Sequence, residues 1–142
     1  MVLVAVTLSI AVANVAPDSR ALLRDEAQRL ATSFRQAQDE ALLTGVTLGW
    51  QPDTDGYRFL RRPRGSEWQP LDQAGEASVR RLPTPVQVVD VEVGGVKVEP
   101  GALVVLSPSS VPPPVRIVLQ ADGLRAAVEI AGTAKVVLLN AS

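Results

Sequence analysis

The 142-residue chain carries 14 basic and 15 acidic side chains, a formal net charge of −1, so no global field draws it toward nucleic acid or an anionic surface. Cysteine and histidine are both absent. That removes disulfides, thiol chemistry and thiolate metal sites, together with the side chain best suited to proton transfer near neutral pH, so composition argues against an enzyme and no cofactor is expected.

The opening run, MVLVAVTLSIAVANVAP, has no charge, and up to Ala16 only Thr7, Ser9 and Asn14 are polar. Leaving it in water would cost roughly 25 cal/mol per Å² of apolar surface. A free-standing transmembrane helix needs about 20 apolar residues, and this run stops at Pro17. A secretory signal would offer Ala11-Val12-Ala13 or Asn14-Val15-Ala16 for cleavage, yet the basic flank is missing. A third reading makes the run the later part of a longer apolar helix. Val2, Leu3, Val4, Val6, Leu8, Ile10, Val12 and Val15 are then its membrane or assembly surface.

From Asp18 to Leu43 the apolar residues Leu22, Leu23, Ala27, Leu30, Phe34, Ala37, Ala41 and Leu42 recur at three- and four-residue steps, which places them on one helical stripe. Leu23, Ala27, Leu30, Phe34, Ala37 and Ala41 are the expected packing face, opposite Arg24, Asp25, Arg29, Arg35 and Asp39. Pro17, Asp18 and Ser19 stand where a helix starts or kinks, and Asp25 with Glu26 suits a first turn, where carboxylates meet the positive end of the helix dipole. Gly45 is the expected C-cap.

After Gly45 the period falls to two. Val46–Trp50 and Tyr57–Arg61 flank the turn residues Gln51–Gly56 and read as a hairpin, and Glu67–Leu71 is a short third run. A polar connection covers 72–78. Val86–Val93 alternates as a half-buried strand should, and Gly94-Gly95 turns it into Val96–Val98. Ala102–Leu106, Val115–Gln120, Leu124–Ile130 and Lys135–Leu139 complete the strands, with Asp122-Gly123 and Gly132-Thr133 as turns. The proline-rich run 107–114 cannot belong to a central strand. These elements amount to an α+β fold: a long N-terminal α-helix, apolar then amphipathic, packed on an antiparallel sheet or sandwich.

Candidate chemistry is sparse. Asp53-Thr54-Asp55-Gly56 begins like a calcium loop, but Arg62 would occupy the position that needs a bidentate carboxylate, so a plain turn is the better reading. Arg58, Arg61, Arg62, Arg64, Arg80 and Arg81 stand against only Glu67, Asp72 and Glu76 between residues 58 and 81. They form either a solvated face or a partner-binding basic patch for phosphate or acidic protein. Trp50, Tyr57, Phe59 and Trp68 could line a groove but read better as core. Ser107, Ser109 and Ser110 have no histidine to activate them.

Glu26-Ala27-Gln28-Arg29-Leu30, Ala37-Gln38-Asp39-Glu40-Ala41-Leu42-Leu43, Gly45, Leu48-Gly49, Asp55-Gly56-Tyr57-Arg58-Phe59-Leu60 and Trp68-Gln69-Pro70-Leu71 follow one another in an order that resembles the GspH/FimT pseudopilin family, in particular the GspH minor pseudopilins of type II secretion. The likeness is close over about residues 20–71 and general in character beyond. It implies assembly rather than catalysis: residues 1–17 as part of a transmembrane and assembly helix, 18–44 as an amphipathic helix, and 45–142 as a periplasmic β domain held at the bacterial inner membrane by a single pass. The implied partners are other minor and major pseudopilins and inner-membrane lipid. Family members begin with a basic leader and a prepilin-peptidase site, Gly-Phe-Thr-Leu-x-Glu, which this chain lacks; Met1 aligns inside the hydrophobic helix, which implies further residues upstream. Nucleic acid is expected as a partner only on the rival reading, a FimT-like pilin that takes up DNA. Against it, residues 115–142 hold only Arg116, Arg125 and Lys135 beside Asp122 and Glu129. A secreted β-domain binding protein with residues 1–16 as its signal is the other rival.

Overall fold

One helix runs through the computed structural model, which describes residues 2–71, 79–108, 113–131 and 133–139, and within them every side chain except those of 2–18, 133–135 and 138. α1, Val2–Thr44, is 43 residues long, which is about 65 Å at the rise of an α-helix. It passes Pro17 without a break, so no helix starts at Pro17, Asp18 or Ser19, and its first turn holds no acidic residue. Asp25 and Glu26 therefore stand in mid-helix, away from the dipole's positive end. At the other end Gly45 adopts φ 72°, a left-handed conformation that glycine reaches without a Cβ clash, and its N–H donates to the Ala41 carbonyl at 2.9 Å.

Ten strands follow among the described residues: β1 Thr47–Pro52, β2 Gly56–Arg62, β3 Gln69–Pro70, β4 Val79–Arg81, β5 Gln87–Val93, β6 Val96–Lys97, β7 Val104–Leu106, β8 Val115–Ala121, β9 Leu124–Ala131 and β10 Thr133–Leu139. In the first sheet β7 pairs β1, β1 pairs β2, and β3 and β4 share the far edge of β2. The second sheet runs β6-β5-β8-β9-β10. Every pairing is antiparallel, and the α+β class expected from the spacing is the class observed. Asp122-Gly123 forms the β8–β9 turn with φ of 48° and 80°, the two positive angles that a tight hairpin requires. β4 is the strand that alternation misses, because two of its three residues are arginines. The 72–78 connection, the middle of the proline-rich run and Gly132 lie outside the described residues.

The core is a single cluster to which the helix and both sheets contribute. Leu23, Ala27, Leu30, Phe34, Ala37 and Ala41 are all between 0 and 2% exposed. Three of these are alanines, so the helix backbone lies close to the strands. Phe34 fixes its rotation: its ring centroid lies 6.0 Å from Trp50 and 6.4 Å from Phe59, while Tyr57 stands 5.7 Å from Trp50. The stripe is narrower than its spacing implies, for Leu42 and the adjacent Leu43 are 67% and 87% exposed.

Trp68 does not belong to that core. It is half-buried on the opposite face of the first sheet, above Gly49, where a Cβ would stand 3.1 Å from the indole and 2.9 Å from Leu103 Cδ1. In the β1–β2 turn the Asp53 carboxylate accepts the Asp55 N–H at 2.8 Å, the closure of an Asx-turn. Among the described residues no group of three or more acidic side chains could hold a metal ion.

Gly56 faces β4 so closely that a Cβ would lie 1.9 Å from the Arg80 carbonyl oxygen. Gly56→Ala should therefore displace β4 and lower unfolding free energy by about 2–3 kcal/mol, whereas Gly49→Ala meets mobile side-chain ends and should cost about 1 kcal/mol. Urea unfolding of both variants checks the ranking; equal effects would contradict it.

Candidate functional site

Among the described residues, polar contacts at Ser19 and Glu26 tie the helix to the β domain. At the first, the Ser19 hydroxyl, in a residue 5% exposed, donates to the carboxylate of Asp122 in the β8–β9 turn. The second is a fork. Glu26 is 3% exposed, and Arg80 on β4 donates to both of its oxygens, Nη2 to Oε2 at 2.7 Å and Nε to Oε1 at 3.2 Å. Arg29, one turn along, approaches to 3.7 Å. A buried carboxylate is tolerable only with such compensation.

The hairpin sets up the fork. Tyr57 pairs Arg80 in register, and because Tyr57 points into the core, Arg80 beside it points at the helix. Burial, reinforced by the charge of Glu26, pushes the Tyr57 phenol up to about 12, with Arg80 and Arg29 opposing. The hydrogen bonds it donates to Glu26 also strengthen the hold of Arg80 on its proton. The linear sequence did contain a signal for this site: Glu26 stands four residues before Leu30 and beside Ala27, on the apolar stripe. A charged residue there needs a buried partner, whichever turn of the helix it occupies.

The six arginines do not lie together. Arg80 is turned inward and spent on Glu26. Arg58 and Arg81 lie toward the β1–β2 turn, at register positions opposite Val79 and Gly56, and Arg58 donates to Gln51 Oε1 at 3.0 and 2.8 Å. Arg61, Arg62 and Arg64 lie at the other end of β2, where Arg62 pairs Thr47; its Nε donates to the Ser66 carbonyl at 3.2 Å. In the second sheet Arg116 stands 3.6 Å from both Glu92 and Glu129, and Arg125 donates to Gln120 at 3.0 Å. Val2, Leu3, Val4, Val6, Leu8, Ile10, Val12 and Val15 fall on the helix backbone, outside the described side chains. Among the described residues no helix is long and apolar enough to cross a membrane.

What this arrangement offers is mechanical. A continuous helix is clamped along its second half to a two-sheet domain, which defines the pilin-like class of protein. Two solved structures of the minor pseudopilin EpsH from the type II secretion system of Vibrio cholerae share the fold. One is 19% identical, covers 82% of this chain and 95% of its own, and superposes with a TM-score of 0.65. The other is 18% identical, with coverage of 86% and 98% and a TM-score of 0.65. The sequence profile of the family described as Type II transport protein GspH matches residues 26–140, and the chain belongs to that GspH family. No curated protein sequence matches it.

Removing Arg80 leaves the Glu26 carboxylate buried with only Arg29 3.7 Å away, so Arg80→Ala should cost about 3 kcal/mol, and a Glu26→Leu/Arg80→Leu pair should recover most of that loss. The same site sets a pH dependence. The phenol of Tyr57 ionises near 10 when unfolded and near 12 when folded, so its contribution to stability is complete below pH 10 and is lost as pH rises toward 12. Because the chain has one tyrosine, absorbance titration near 295 nm reads it directly; a midpoint near 10 in the folded protein would contradict this burial.

Proposed function

We propose that the chain is a minor pseudopilin of a type II protein secretion system, a structural subunit rather than an enzyme. It assembles through its N-terminal helix into the tip region of a periplasmic pseudopilus that drives export of folded proteins. The observation that carries this reading is the unbroken passage of α1 from the apolar run, through Pro17, into the stripe that packs on both sheets. A removable signal would end in an extended cleavage segment; here the same helix serves both halves.

On this reading residues 1–17 contribute part of a single inner-membrane span and exchange lipid for the helices of other pseudopilins on assembly. Residues 18–44 hold the helix to the domain, and residues 45–142 form the periplasmic β domain. The apolar side chains from Val2 to Val15 are the assembly surface. The FimT-like alternative, with DNA as ligand, draws no support from the second sheet, where Arg116 is already shared between Glu92 and Glu129.

Deleting the gene from its source bacterium should leave exported proteins in the periplasm, and supplying the natural gene should restore export. Unchanged export combined with lost DNA uptake would favour the FimT-like reading instead.

A further inference from the structure

Alternation along a strand assigns each residue of the first sheet to a face. Trp50, Tyr57 and Phe59 belong to the core, so Gly49, Gln51, Arg58 and Leu60 stand on the outer face. The registers carry that face across the sheet. Val105, Gly49, Leu60 and Pro70 form one row, and Gln51, Arg58 and Val79 the next. Thr47 and Arg62 lie on one flank, with Arg81, opposite Gly56, on the other.

This face is apolar in its middle and basic at its ends. Trp68 and Leu103, both half-buried, reach over Gly49, while Val79 and Val105 are 51% and 50% exposed. Arg58 and Arg62 stand four residues apart on one strand, about 13 Å at the rise of a strand. Both guanidiniums are held. Arg58 donates twice to Gln51 Oε1, Gln51 donates in turn to the Gly101 carbonyl at 3.0 Å, and Arg62 donates to the Ser66 carbonyl. Among the described residues no acid stands on the outer face of these strands. Of the acids in the adjoining loops, Asp53 and Glu99 line the groove beside β5, Glu67 is offset by Arg64, and Asp55 stands in the turn near Arg81. Arg58, Arg62 and Arg81 outweigh it.

We infer that this face docks a second protein, one that presents two carboxylates spaced to match the Arg58 and Arg62 forks with an apolar side chain between them. The apolar anchor covers Trp68 and Val105, and the carboxylates close on the two forks; tryptophan and arginine are the side chains that concentrate binding energy at such contacts. Because both forks are already immobilised, docking costs little side-chain entropy. A nucleic-acid backbone, with a charge every ~3.4 Å along each strand, would call for a continuous cationic row rather than two posts with an apolar strip between them. The contact goes beyond the proposed role in secretion and does not depend on it.

A capped Asp-Gly-Leu-Gly-Asp peptide spans the same distance when extended and serves as the probe. Added to the isotope-labelled full chain in detergent micelles, it should shift the Trp68 indole N–H and the amides of residues 58–62 and 103–105 with a Kd of about 1 mM or below, while the buried Trp50 indole stays in place. Combining Arg58→Glu with Arg62→Glu, or introducing Trp68→Ala, should weaken binding at least tenfold. No shift at these positions, or equal shifts with a Lys-Gly-Leu-Gly-Lys peptide, would overturn the inference. So would undiminished binding to a charge-reversed chain that keeps its circular dichroism and melting temperature. Saturable shifts from a polyuronate or from anionic vesicles, with none from the peptide, would give the face to a glycan or a lipid and overturn it as well. If Trp68→Ala disturbs folding, the two arginines decide alone, since both are exposed. The titration is read without secretion, so its failure leaves the proposed function standing.

Discussion

A carboxylate on the buried face of a helix has to find a cation, and the rest of this domain is arranged to bring one. Glu26 interrupts an otherwise apolar stripe, and the chain answers with Arg80, a residue 54 positions later on a short edge strand. For Arg80 to reach it, β4 must lie against β2, and for β4 to lie there residue 56 must lack a side chain. The Asp-Gly-Tyr-Arg-Phe-Leu run therefore does three jobs at once. It turns the chain, admits β4, and inserts two aromatic rings beneath the helix. An ion pair of this kind adds little stability over an apolar pair of the same shape. Its consequence is register: only one rotation and one height of α1 bring Glu26 to the fork.

The aromatic cluster enforces the same rotation by shape. Phe34 contacts residues of both β1 and β2, so a helix turned by one position would lose the ring contacts and the fork together. Polar and apolar constraints agree, as expected of a sequence that specifies one arrangement. The alanines at 27, 37 and 41 then let the backbone settle between the sheets.

Much of this was legible in the linear sequence, for identifiable reasons. Helical spacing carries strong information over many turns, so the stripe from Leu23 to Ala41 and its end at Gly45 read directly, and Pro-, Asp- and Gly-type turn chemistry marked the hairpins. The failures share a cause: they depend on partners distant in sequence. Glu26 read as a first-turn acid because nothing near it reveals Arg80. β4 escaped notice because Val-Arg-Arg has no alternation of its own and exists as a strand only through β2. Trp68 read as core because size and apolarity do not say which face of a sheet a ring covers; Gly49 opens the outer face and the indole fills it. The six arginines formed a cluster in sequence and divided in space because β2 has one end at the β1–β2 turn and the other beside Thr47, while Arg80 on β4 turns to the helix.

The Ser19–Asp122 bond spans 103 residues, and that separation has a consequence in time. As the chain is made from its N-terminus, the apolar run and the whole of α1 exist long before Asp122 does. The fork can close once Arg80 has emerged, but the upper fastening must wait until β8 and its turn are complete. The fork and the ring cluster can thus set the rotation of the helix early, while its turns around Ser19 stay unfastened until the β8–β9 hairpin arrives. The long separation makes the finished joint a record that the chain has been built past the β8–β9 turn.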